Sequence, residues 1–207
     1  MRCLAEILEE SSSRHKHLCP RQVLGARMGL YAAELLSLDL PHKGKGLLVI
    51  AETDGCAVDG LIAATGCHVG GRTLRIRDFG KVAATFVVTC SESAIRLVPR
   101  PETRSLAWSY APEARNRWEA MLLGYQVIPA SLLFHVQTVR LTTPLAEIVS
   151  KPGRKAECDL CREEIINGRE VIRGSSTLCA SCAGESYYEV LEPPGLYREI
   201  HFAAKTC

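Results

Sequence analysis

Four of the ten cysteines in this 207-residue chain are spaced to close around one metal ion. Cys158-Asp-Leu-Cys161 and Cys179-Ala-Ser-Cys182 are two Cys-x-x-Cys pairs with seventeen residues between them. Each pair sets two sulfurs on one side of a tight turn, and two such turns offer a tetrahedral Zn²⁺ four thiolates. A four-thiolate site has no open coordination position, so its role is structural. Binding of about 10–16 kcal/mol is typical of such peptides and folds a module with almost no core. Iron is the alternative metal for the same four ligands.

A second set of ligating side chains stands near the N-terminus as His15-Lys16-His17-Leu18-Cys19-Pro20. In an extended segment alternate side chains share a face, so His15, His17 and Cys19 can point at one metal. Two imidazoles and a thiolate leave a position free, as metal sites that bind substrate do. The plainer reading is two histidines on an exposed turn beside a buried cysteine. A third set is Asp54-Gly55-Cys56-Ala57-Val58-Asp59-Gly60, closed by Thr65-Gly66-Cys67-His68. Cys19 and Cys56 each precede a predicted helix, where the dipole favours thiolate over thiol. Asp54 and Asp59 can orient a ligand. Any one of these cysteines alone is more often a small core residue than a ligand.

The elements that must position these residues follow from periodicity and punctuation. Residues 2–10 predict a short amphipathic helix ended by Ser11-Ser12-Ser13. Pro20 suits the first turn of a helix running to about Leu36, because its missing N–H is not needed there. That helix carries an apolar stripe of Leu24, Met28, Tyr31 and Leu35. Gly25, Gly29 and Ala33 form a second stripe that lets another backbone approach closely in a soluble core. Leu47 to Ala51 reads as a buried strand, residues 57–65 as a short helix stopped by Gly66, and Leu74 to Arg77 as a strand with one wet face. Strands follow at Thr85 to Thr89, Ala94 to Val98 and Phe134 to Leu141. A helical stretch holds Trp118 to Leu123, opened by Pro112 and Glu113. Strands without a regular βαβ rhythm predict an α+β core with a mixed or antiparallel sheet and packed helices. The linker around Lys151-Pro152-Gly153 separates a core domain, residues 1–150, from a small zinc-finger domain, residues 151–207. In the latter, Glu170-Val171-Ile172 predicts a hairpin strand after Gly168, and Ser181 to Val190 a short helix. That is the outline of a treble clef or zinc ribbon.

The whole-chain figures set the frame. Apolar content of 47 % with 23 % charged residues is ordinary for a globular protein. A net charge of +2 gives no global reason to expect nucleic-acid or membrane binding. No run approaches the roughly 20 apolar residues that span a bilayer. Met-Arg-Cys-Leu-Ala-Glu lacks the apolar stretch of a signal peptide, which predicts a cytoplasmic protein with reduced thiols. Asp78-Phe79-Gly80 spells a kinase metal-binding tripeptide, but neither a glycine-rich nucleotide loop nor an His-Arg-Asp loop accompanies it. The cluster Arg72, Arg75, Arg77 and Lys81 suits phosphate, an oxyanion or nucleic acid, but it is more often one solvated face of a strand, since no aromatic residues interleave as stacking platforms.

His15 to Pro20, Asp54-Gly55-Cys56, Thr65-Gly66-Cys67 and Arg77-Asp78-Phe79-Gly80-Lys81 occur in the order and approximate spacing of the FmdE family, which the chain resembles over about residues 10–145. That family is named for the FmdE component of formylmethanofuran dehydrogenase, and many members carry a C-terminal treble clef. The resemblance implies a dimeric α+β core with a metal or ligand site at His17, Cys19 and Cys56, and with His15, Asp54, Asp59 and Cys67 nearby. It implies structural Zn²⁺, a second transition metal in the core, and a molybdenum or tungsten enzyme as partner. Arg21 departs from the family's usual Gly after Cys-Pro, so the ligand is expected to differ. Three functions remain open: a metal-binding accessory protein, an enzyme using the open metal position or a cysteine nucleophile such as Cys56 or Cys19, and a zinc-finger regulator. Glu163, Glu164, Glu185 and Glu189 count against nucleic acid as the regulator's partner.

Overall fold

In the computed structural model, which describes residues 2–13, 17–149 and 151–189, the apolar run from Leu47 to Ala51 is a strand at the centre of the fold. In chain order, α1 (Leu4–Ser13) and α2 (Pro20–Leu36) precede β1 (Leu47–Ala51). α3 (Ala57–Thr65) leads to β2 (Leu74–Ile76), followed by β3 (Ala84–Val88) and β4 (Ala94–Pro99). Then come α4 (Thr103–Tyr110), α5 (Arg117–Val127), the single turn α6 (Ala130–Leu133), β5 (Phe134–Thr138) and the single turn α7 (Leu145–Ile148).

The strands form one sheet in the order β2-β1-β3-β4-β5. β1 and β2 are parallel, joined through α3, and the other pairs are antiparallel, with Val49 opposite both Leu74 and Phe86. This is the mixed, mostly antiparallel α+β core that the irregular strand rhythm predicts. Alternation places Leu47, Val49, Phe86 and Leu97 in the main core with the helices. Leu48, Val87 and Ala94 face the other way and are covered by Leu145, with Ile148 and Val149 packed beside it. Both faces of β1 are thus covered, which is why it reads as an unbroken apolar run.

The packing of α2 on α3 sets the geometry of everything near Cys19. A Cβ at Gly25 would overlap the Ala57 carbonyl, and one at Gly60 would overlap the Gln22 carbonyl. A Cβ at Gly29 would lie 2.6 Å from that of Ala64. The paired positions rise together along both helices, so α2 and α3 run parallel with their backbones touching. The small-residue stripe does what its spacing predicts, and Gly60 supplies the matching notch from the other helix.

Several expectations shift. α1 continues through all three serines; Ser11 is fully buried, and the Ser12 and Ser13 hydroxyls donate to the Glu9 and Glu10 carbonyls. Leu35 is 43 % exposed, so the apolar stripe of α2 ends a turn early. β2 does not alternate as expected: Arg75 is half-buried, donating to the Leu74 and Ile148 carbonyls, while Ile76 is exposed. α4 has no counterpart among the predicted elements, and α5 starts at an Asn116 cap, whose side chain accepts the Glu119 N–H, rather than at Pro112.

The chain divides into two compact units, and the first ends at Val149. The second contains two hairpins, β6 (Lys155–Glu157) with β7 (Glu164–Ile166) and β8 (Val171–Arg173) with β9 (Ser176–Leu178), then one helical turn, Ser181–Glu185. That turn stops well short of the expected helix to Val190, because Gly184 takes φ 102° and Ser186 is extended. Val190 itself lies outside the described residues.

Gly60→Ala forces the two helix backbones apart despite alanine's better helix propensity. Thermal or urea denaturation is expected to show a loss of about 1–3 kcal/mol, the range for overpacking a tight interior.

Candidate functional site

The two Cys-x-x-Cys turns meet as expected. The sulfurs of Cys158, Cys161, Cys179 and Cys182 all lie within 4.8 Å of one another. The Cys161 and Cys179 sulfurs are 3.9 Å apart, close to the roughly 3.8 Å edge of a tetrahedron with Zn–S bonds of about 2.3 Å. The loop between β6 and β7 carries the first pair. Asp159 ties it to the second hairpin, accepting the Thr177 N–H at 2.7 Å and donating its own N–H to the Thr177 carbonyl at 2.8 Å. Backbone N–H groups of Cys161 and Cys179 hold the Cys158 thiol down at about 6, while the Cys179 sulfur and burial push Cys182 up to about 12. One thiolate forms readily and its neighbours resist ionising beside it. A divalent cation removes that resistance, so the donor set fits a metal. Its four thiolates would close the coordination shell and leave Zn²⁺ a structural role.

In the first unit the parallel packing of α2 and α3 brings their N-termini side by side, and with them Cys19 and Cys56. Cys19 is the N-cap of α2: its backbone N–H donates to Gln22 Oε1 at 2.8 Å. Gln22 is fully buried and its Nε2 donates to both the carbonyl and the hydroxyl of Ser11. One side chain therefore fastens Cys19 to α1. Cys56 is the N-cap of α3, after a turn in which the Gly55 N–H donates to Thr53 Oγ1. The two thiols stand close enough for Cys56 to act on the ionisation of Cys19. Burial pushes the Cys19 thiol up, the Gln22 N–H pulls it down, and Cys56 raises it further. The dipole argument alone predicts the opposite direction; desolvation outweighs it.

Both thiols line a cavity of about 1120 Å³. Asp54 joins them from the β1–α3 turn, and Asp78, Gly80 and Lys81 from the loop after β2. That loop is pinned to the end of β1: the Phe79 and Lys81 N–H groups both donate to the Glu52 carbonyl at 3.0 Å, and Asp78 accepts the Gly80 N–H. The Glu52 side chain in turn makes a two-point ion pair with Arg96, at 2.5 and 2.7 Å. Arg96 holds the Glu52 carboxyl below the usual glutamate range, against burial.

The remaining sequence candidates are placed differently. His17 is exposed and belongs to no group of three metal-capable side chains within 4.8 Å among the described residues. His15 lies outside the described residues. Cys67 is packed in the core, donating to the Leu47 carbonyl, with its thiol pushed up by burial. Asp59 sits in the first turn of α3 and does not line the cavity. Sequence reasoning missed a further part of the wall, which is built from Arg100 just after β4, Arg104 in the first turn of α4, and Arg117, Trp118, Met121 and Tyr125 of α5. The available signal for α4 is Pro101-Glu102 directly before Thr103.

Cys182→Ser leaves three thiolates, so zinc per chain is expected to fall by one and the near-ultraviolet signal of the second unit to collapse, while the first unit's melting is unchanged. Glu52→Gln is expected to cost about 1 kcal/mol at neutral pH, after allowance for solvent screening of the partly open Arg96. A depressed carboxyl contributes stability above the ordinary glutamate range and loses it as pH falls through its folded value, so the two proteins converge in acid melts.

Residues 14–135 match the family described as FmdE, molybdenum formylmethanofuran dehydrogenase operon. A probable S-adenosyl-L-methionine-binding protein of Archaeoglobus fulgidus is 37 % identical over 87 residues, 41 % of this chain and 24 % of that protein. The chain thus spans about a quarter of that relative's length, at 24 %. The crystal structure of an FmdE-like protein of the tungsten formylmethanofuran dehydrogenase type, from Syntrophus aciditrophicus, shares the fold, with a TM-score of 0.59 at 20 % identity. That superposition covers 90 % of this chain and 95 % of the other. With Cys19, Cys56, Cys67 and the Asp78-Phe79-Gly80-Lys81 loop all inside the matched span, this chain belongs to the FmdE family.

Proposed function

We propose that this FmdE-family chain is a metal-handling accessory protein whose first unit presents an open, soft-metal site at Cys19 and Cys56, and whose second unit is a domain clasped by zinc. The observation that carries the reading is the meeting of two thiols from two parallel helix N-termini on the wall of a large cavity. Two thiolates are half of a tetrahedral set, so a bound transition metal would keep positions for a ligand entering from the cavity. The raised Cys19 thiol is in keeping with this, since metal binding supplies the charge that lets a buried thiol ionise. His17, two residues before Cys19 in sequence, is a proposed third ligand that would have to turn toward the thiols, since it forms no metal-capable group with them among the described residues.

The family description and that of the Syntrophus protein both name formylmethanofuran dehydrogenase, with molybdenum in one case and tungsten in the other. They support an enzyme of that kind as the partner. A homodimer fits the apolar side chains left exposed on α4, α5 and α6, among them Trp108, Val127 and Leu132. No helix among the described residues is long and apolar enough to cross a membrane, which accords with a cytoplasmic setting. S-adenosyl-L-methionine, the ligand in the Archaeoglobus relative's name, carries a sulfonium cation. It fits poorly in a cavity lined by Arg21, Lys81, Arg100, Arg104 and Arg117 against only Asp54 and Asp78.

Metal analysis tests the reading. Wild-type protein loaded with zinc or cobalt is expected to hold two metals per chain, falling to one in Cys19→Ser/Cys56→Ser, with the thiolate-to-cobalt absorption of the first site lost. One metal that survives both substitutions would sink the core site.

A further inference from the structure

The cavity beside Cys19 and Cys56 has a charge that neither thiol nor metal chemistry requires. Arg21 stands one residue into α2, Lys81 on the pinned loop, Arg100 just after β4, Arg104 in the first turn of α4, and Arg117 at the start of α5. Asp54 and Asp78 are the two acidic residues of the lining. Arg21, Arg104 and Arg117 make no side-chain ion pair with any described residue. Burial raises the pKa of the Tyr125 hydroxyl, and Arg104 and Arg117 both lower it, so their field reaches into the wall. The N-termini of α2 and α3 add partial positive charge from the same side. Between the cations the lining is apolar: Leu24, Val82, Val98 and Met121, with Trp118 at the edge. The whole chain carries only +2, so this concentration is local rather than a share of a basic surface. Arg21, Arg104 and Arg117, grouped without acidic partners, repel one another until an anion enters, and an arginine fork pairs with phosphate oxygens two at a time.

We infer that the cavity takes an organic anion of the phosphate class, its phosphate held by Arg104 and Arg117 and its body laid on the Met121–Trp118 wall beside the two thiols. This rests on the reading of the cavity as the functional site, and it adds the ligand's chemistry. Arg21 would contribute a further charge and so narrow the choice to more highly charged anions. At about 1120 Å³ the space is ample for a nucleotide-sized molecule, since ligand sites commonly span about 300–1,000 Å³.

The test is calorimetry on the full, zinc-loaded chain with two probes that differ only in phosphate, ATP and adenosine. ATP is expected to bind, to weaken as ionic strength rises from about 0.05 to about 0.5 M, and to exceed adenosine by about tenfold or more. Arg104→Gln/Arg117→Gln is expected to weaken ATP by about tenfold or more while leaving adenosine, zinc content and melting temperature unchanged. Both arginines are exposed, so the variant keeps the fold. If ATP fails to bind at millimolar concentration, or binds the variant as tightly as the wild type, the inference is wrong. Neither result touches the metal count on Cys19→Ser/Cys56→Ser, so the two readings fail separately.

Discussion

The close packing of α2 on α3 is the constraint on which the first unit depends. Antiparallel helices can meet at a distance and still bury apolar faces, but these two run parallel with carbonyls of one against glycines of the other. Parallel dipoles side by side repel, and their positive ends gather at one place. The fold accepts that cost in exchange for a fixed spacing between two helix N-caps, and both caps are cysteines. Cys19 and Gln22 form a reciprocal capping box, the sulfur facing the Gln22 N–H while the Gln22 side chain accepts the Cys19 N–H. Sulfur is a weaker acceptor there than the oxygen of serine or aspartate. The buried Gln22 amide is fully used between Cys19 and Ser11.

The electrostatics of the cavity follow from the same arrangement. Burial drives Cys19 toward the neutral thiol, while helix ends and surrounding arginines favour negative charge in the space beside it. These tendencies are compatible only if the charge is brought in by a metal or an anion rather than made in place. The Glu52–Arg96 pair sits behind the loop that carries Asp78 and Lys81, so one partly buried ion pair and two backbone hydrogen bonds hold that side of the cavity to the end of β1.

What the sequence revealed tracks how local each signal is. The strand Leu47 to Ala51, the helix Pro20 to Leu36 and the stop at Gly66 depend on neighbours within a few residues, the four-thiolate site on two short Cys-x-x-Cys turns, and all of them stand. That Cys19 and Cys56 belong together was implied only by the family resemblance, because Gly25 and Gly29 announce a contact without naming its partner. The cationic wall was not legible. Arg104 and Arg117 lie on helices whose starts periodicity misplaces, and α4 is a polar eight-residue segment whose only buried residues are Thr103 and Ala107. Tertiary packing, not periodicity, makes it a helix. Cys67 misled for the converse reason. Its motif neighbours Cys56 in sequence, but α3 lies between them, and the chain returns it to the core under β1.

The two thiol clusters of the chain illustrate one rule with opposite outcomes. Among Cys158, Cys161, Cys179 and Cys182 every coordination position of a tetrahedral ion is supplied by the protein, and backbone N–H groups already poise one sulfur for ionisation. Such a site contributes folding energy to a module with little core and has nothing left to offer a ligand. Cys19 and Cys56 supply two sulfurs, hold them on a rigid pair of helices, and face a space large enough for a further molecule. Rigidity there comes from backbone contact between α2 and α3, so the spacing of the two sulfurs does not rest on a bound ion. On the proposed reading, that leaves this centre free to exchange a metal or an anion, where the four-thiolate clasp keeps one.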